Sequence, residues 1–115
     1  MHKDREPRVQ HNVKFVAQVH ECDDDPDLVG ESIACESIDF SIHGLRLRTD
    51  QALVPNTLLN ITLSVGDAVS SYVLRGEIRW TEIIDNDCHM GVSFIEEEGT
   101  NLDSWVAYFD GNFEV

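Results

Sequence analysis

The segment Asp39-Phe40-Ser41-Ile42-His43-Gly44 holds a carboxylate, a hydroxyl two residues later and a glycine three beyond that, and reads as a compact polar turn at the mouth of a sheet. In extended chain, residues two apart share a face, so Asp39 and Ser41 point one way while Phe40 and Ile42 point inward. Gly44 permits either a positive φ or a close backbone approach. A carboxylate beside a hydroxyl can grip the donor edge of a nitrogenous base. A basic cluster, Lys3, Arg5 and Arg8, lies upstream. Arginine's planar fork matches phosphate with two parallel bonds, and it can also stack on a base or read guanine O6 and N7.

Trp80 offers a surface for base stacking. It shares its alternation with Tyr72, Leu74 and Ile78, so a place in the core or its rim fits the pattern equally well. Arg75, Glu77 and Arg79 occupy the opposite, polar face of that segment, which reads as a solvated sheet face. His43 receives no role. No serine, cysteine or histidine constellation with a catalytic context and no phosphate-cradling glycine loop is visible, so no catalytic residue is assigned.

Positioning these residues requires strands. Val13, Phe15, Ala17 and Val19 alternate with polar neighbours over 12–20, which predicts a half-buried strand. Further strands are expected over 31–38, leading into the Asp39–Gly44 turn, and over 45–49, with Leu45 and Leu47 inward and Arg46 and Arg48 outward. Three more follow over 58–65, 71–81 and 88–95. Asp23-Asp24-Asp25-Pro26-Asp27, Pro55-Asn56, Gly66-Asp67 and Asp85-Asn86-Asp87 supply turns. Leu102, Trp105, Val106 and Phe109 fall at helical spacing after a cap at Thr100 or Asn101. Six short strands and one terminal helix make a mainly β fold, a small antiparallel barrel with the helix packed on it.

At 115 residues the chain suffices for one domain. No apolar run approaches the roughly 20 residues that span a bilayer, and no secretory signal opens the chain, so cytoplasmic residence without membrane insertion is expected. Cys22, Cys35 and Cys88 have no C-x-x-C spacing and read as reduced thiols; no metal site is assigned. The net charge of −14 argues against DNA or RNA, which need many phosphates neutralised. The charge is unevenly spread. Residues 1–14 carry four basic against two acidic side chains, a local +2, and the remaining 101 residues carry −16. A small anion can be met by such an arm, whereas a long polyanion cannot.

The D-x-S-x-x-G pattern at 39–44 resembles the second signature of the PilZ family of cyclic di-GMP receptors. The family's first signature is R-x-x-x-R. With Arg8 as its second arginine, the first position falls on Asp4, with Arg5 one place later. Gly44-Leu45-Arg46-Leu47-Arg48, Leu74-Arg75-Gly76-Glu77-Ile78-Arg79-Trp80 and Met90-Gly91-Val92-Ser93-Phe94 extend the resemblance over roughly 3–110. The resemblance implies a six-stranded antiparallel PilZ-type β-barrel with a C-terminal α-helix over 12–110, between a flexible basic arm at 1–11 and a tail at 111–115. It implies that Arg5 and Arg8 fold over cyclic di-GMP while Asp39, Ser41 and Gly44 form a floor beneath a guanine, to which a stacking Trp80 would add a flat face. The chain would then be a receptor that changes its surface to regulate a downstream protein partner, with no cofactor beyond that ligand and no enzymatic activity. The alternative is a ligand-independent PilZ-like adaptor whose arginine motif has degenerated.

Overall fold

Alternating apolar residues build the walls of a closed barrel. The computed structural model describes residues 9–10, 13–64 and 71–112. The strands are β1 (Val9–Gln10), β2 (Lys14–Glu21), β3 (Ser32–Ser41), β4 (Gly44–Thr49), β5 (Leu58–Ser64), β6 (Ser71–Ile84) and β7 (Asp87–Ile95); a single helix, α1 (Leu102–Asn112), follows. Neighbours run in the order β1-β3-β2-β5-β6-β7-β4, and pairing of β4 back onto β3 closes β2 to β7 into a six-stranded antiparallel barrel. The short β1 continues the β2 side of β3, with Val9 opposite Phe40 and Gln10 opposite Asp39.

The interior is filled from each of β2 to β7. Phe15, Ala17 and Val19 of β2, Leu45 and Leu47 of β4, Leu59, Ile61 and Leu63 of β5, and Met90, Val92 and Phe94 of β7 are buried together. Full burial of each such side chain contributes about 1.5–3 kcal/mol. The expected inward and outward faces of 45–49 hold, with Arg46 and Arg48 exposed. The expected Asp85-Asn86 turn is also present. Both residues have positive φ (51° and 75°), the conformation of a two-residue hairpin turn between β6 and β7. Asp25 caps a short 3₁₀ turn over Pro26–Leu28 and accepts from the Asp27 N–H at 3.3 Å, so the acidic run is a structured turn. The Gly66-Asp67 turn lies outside the described residues.

Among the described residues single-residue bulges fall at His20 on β2, Ile38 on β3 and Arg79 on β6, and the last two change the sequence-based reading. On β3, Ser37 faces Leu47 and Asp39 faces Arg46, so Ile38 is the extra residue. Ile33, Cys35 and Ser37 are buried before it, and Phe40 takes the fully buried position after it. Residues 39–41 therefore belong to the strand, and the turn is confined to Ile42-His43 rather than spanning 39–44. On β6, Ile78 faces Val92 and Trp80 faces Gly91, so Arg79 is extra. Trp80 consequently leaves the face of Leu74 and Ile78 and is 41% exposed. Such bulges re-aim side chains at the cost of one unpaired residue.

The helix closes the barrel end where β3 and β7 finish and β4 and β6 begin. Trp105 is fully buried there, its ring 5.5 Å from Phe40, 5.7 Å from Tyr72 and 6.0 Å from Phe94. Asn101 opens α1 through its carbonyl, which accepts from the Trp105 N–H at 2.9 Å. Its side chain does not take the expected capping role. The Asn101 amide oxygen accepts from Val73 N–H at 2.8 Å and its backbone N–H donates to Val73 O at 2.7 Å, pairing β6 just beyond the last β7 residue.

Cys22, Cys35 and Cys88 are free and buried. Burial, the largest cause, pushes the Cys35 thiol up from 9.0 to about 11, partly opposed by a backbone hydrogen bond involving Ala17. The folded value exceeds the unfolded one, so this group's stabilisation is complete below about pH 9 and disappears as pH rises toward 11. Alkaline titration of unfolding free energy is expected to fall through that window, and Cys35→Ala to flatten the fall. Trp105→Ala is expected to cost about 3–5 kcal/mol in denaturant unfolding, and Trp105→Phe distinctly less because a ring remains.

Candidate functional site

The backbone of the hexad is held from β7 and from α1. Gly44 faces Ser93 across the β4–β7 ladder, and a Cβ on Gly44 would lie 2.4 Å from the carbonyl oxygen of Val92. Close approach is therefore the reason for glycine here; Gly44 is not among the glycines with positive φ. The Phe94 N–H donates to His43 O at 2.8 Å, and Trp105 Nε1–H donates to Ile42 O at 3.2 Å. The Ser41 hydroxyl donates to Gly44 O at 3.4 Å, near the limit for such a bond, which leaves it readily recruited by another acceptor or donor.

The β3 bulge puts Asp39 on the outer face directly opposite Arg46. Arg46 Nε–H donates to Asp39 Oδ2 at 2.9 Å, and Nη2–H donates to the same oxygen. The Asp39 side chain is only 8% exposed, whereas that of Arg46 is 47% exposed. The hydrogen bond to Asp39, more than the accompanying charge attraction, holds the Arg46 guanidinium above its ordinary pKa, so it is a permanent cation. Sequence reading set Arg46 on the outer face but gave it no role. Its place opposite Asp39 follows only from the register that the Ile38 bulge creates.

Ser41, Gly44, Arg46, Arg79, Trp80 and Gly91 line one open cleft of about 560 Å³ on the β4–β7–β6 face. Trp80 lies against the Gly91 backbone so closely that a Cβ there would sit 2.0 Å from the indole Nε1. One side of the ring is thus seated on main chain. Arg79, the bulged residue, donates from Nη1 to Glu77 Oε1 at 2.8 Å and remains 58% exposed at the cleft. Arg75 goes elsewhere, held by Asn60 at 2.7 Å and by an ion pair with Glu97.

Of the residues singled out in the sequence, the structure brings Ser41, Gly44 and Trp80 to this cleft, with Asp39 behind Arg46 at its edge. Arg5 and Arg8 lie outside the described residues. Val9 and Gln10, the described residues that follow Arg8, pair with Phe40 and Asp39 of the hexad. A second hollow, about 620 Å³, lies along β2, β3 and β4 between Lys14, Val16, Ala34 and Arg48. It contains no hexad residue, and its two cations, Lys14 and Arg48, share it with the carboxylates of Glu36, Asp50 and Asp87. The slightly smaller cleft is therefore the better-equipped site. Among the described residues no group of His, Cys, Asp or Glu could hold a metal ion.

A family model described as PilZ domain matches residues 3–110. No curated protein matches the chain.

The two glycines are expected to fail differently. Gly44→Ala sets a methyl against a backbone oxygen, which no side-chain rotation relieves, and should cost about 1–3 kcal/mol in denaturant unfolding. Gly91→Ala meets a half-exposed indole that can swing away, so stability should change less while the emission of Trp80 shifts on displacement. Equal stability losses with unchanged emission would contradict the seating of Trp80 on Gly91.

Proposed function

This chain belongs to the PilZ domain family, generally a cyclic di-GMP-binding domain, and we propose that it is a cyclic di-GMP receptor acting on a downstream partner protein. The observation that carries the reading is the cleft in which Ser41 and Gly44 of D-x-S-x-x-G meet a seated tryptophan and two arginines. A dinucleotide with two guanines and two phosphates needs a flat apolar surface, hydrogen-bonding groups for base edges and cations for phosphate. Trp80, the hexad, and the arginines of sheet and arm provide one of each.

Arg8 adjoins Val9 in the chain, and Arg5 precedes Arg8 by three residues, a span of at most about 11 Å. In this reading the arm that carries both arginines bonds a ligand over Ser41 and Gly44. Ordering such an arm costs about 1–2 kcal/mol per residue. Each charge-assisted contact returns about 1.5–3 kcal/mol. The two nearly balance, so ligand contacts decide whether the arm closes, and closing changes the surface a partner meets. Asp4, in the register of the first motif arginine, subtracts one such contact and adds a negative charge. The family is one of binding rather than catalytic domains, and no helix among the described residues is long and apolar enough to cross a membrane.

Calorimetric titration with cyclic di-GMP tests the reading. Heat of binding is expected from the wild type, with losses on the order of tenfold to a hundredfold for Trp80→Ala and for Arg8→Ala. Asp4→Arg is expected to tighten binding. No heat at hundreds of micromolar ligand would instead support the ligand-independent adaptor. Undiminished affinity in both alanine variants would place the site elsewhere.

A further inference from the structure

We propose that Arg46 and Arg79 form a sheet-borne phosphate subsite, and that Asp39 serves it as a positioning residue by orienting Arg46. The inference rests on the cyclic di-GMP reading and assigns the roles within that site. Three observations carry it. Asp39 is nearly buried and does not line the cleft, while Arg46 is half exposed and does. Arg46 spends Nε and Nη2 on a single Asp39 oxygen. A guanidinium has five N–H donors, so this grip leaves three, including both on Nη1, and fixes the plane of the fork. Arg79, outward on β6 by the ordinary alternation that buries Ile78, lines the same cleft.

The chemistry favours a phosphodiester. Two arginines with one face on the cleft can each donate to non-bridging oxygens of a ligand whose guanine lies on Trp80. Both come from paired strands, so they add cations without the ordering cost that the arm carries. This offsets the charge lost at Asp4. Glu77 and Asp39, the carboxylates already bonded to these arginines, set their orientation and prevent neither from bonding phosphate, since each arginine keeps donors in hand.

The test is a double-mutant cycle on ligand affinity in the full chain, with cyclic di-GMP as the probe. Arg46→Gln retains a donor for Asp39 and keeps the fold, and is expected to weaken binding about tenfold to a hundredfold and to make affinity less sensitive to added salt. Arg46→Lys, which keeps charge but not the fork, should fall between it and the wild type. Asp39→Asn should weaken the wild type about tenfold and add less than about twofold in the Arg46→Gln background. Arg79→Gln should weaken binding independently of Asp39, while Arg48→Ala, outside the cleft, should leave affinity unchanged. Equal effects of Asp39→Asn in both backgrounds would overturn the positioning role. Wild-type affinity in Arg46→Gln, or an increase, would overturn the subsite while leaving the receptor reading intact. A silent wild type would instead sink the receptor reading and the subsite with it.

Discussion

A carboxylate cannot be left inside a small apolar barrel without a partner, and strict alternation along β3 would put Asp39 there. Ile33, Cys35 and Ser37 are buried on one face, and the next residue of that face is Asp39. Burying an unpaired ion costs far more than one interrupted ladder position. The extra residue at Ile38 resolves the conflict by giving the core place to Phe40, on which Trp105 packs, and turning Asp39 and Ser41 outward. The bulge at Arg79 does the same for Trp80. The site thus depends on two half-period slips of the sheet, each of which moves a chemically useful side chain to one outer face.

Those slips also tie the site to the core. The turn between β3 and β4 is bonded through Ile42 O to the Trp105 indole, and through His43 O to Phe94, both at the barrel end that α1 closes. Gly44 then brings β4 to within backbone contact of β7. A ligand that displaces this turn must work against a fully buried tryptophan, which makes the floor of the cleft rigid. Any large response belongs elsewhere than the floor.

Much of this was legible in the residues. Leu45 and Leu47 against Arg46 and Arg48 gave both the strand and its facing, Asp85-Asn86 gave the hairpin, and Asp39, Ser41 and Gly44 marked the corner. Gly44 had two possible reasons, and only the carbonyl of Val92 distinguishes them. What escaped was register. Alternation from Leu74 through Ile78 carries Trp80 inward, and nothing local marks Arg79 as the residue that breaks the pattern. Arg46 was seen as outward-facing, but its pairing with Asp39 arises between strands and has no trace in either segment alone. Asn101 was a cap by residue type, yet the open edge of Val73 offered its side chain a better-fixed partner.

The most direct measurement is an amide and indole chemical-shift titration of the labelled chain with cyclic di-GMP. If the β4–β7–β6 cleft is the binding surface, the Trp80 indole and the amides of Ser41 to Arg46 and of Gly91 to Ser93 move together and saturate, while Lys14, Ala34 and Arg48 around the other hollow stay fixed. Perturbations centred on that second hollow, with the Trp80 indole unmoved at saturation, would contradict the account.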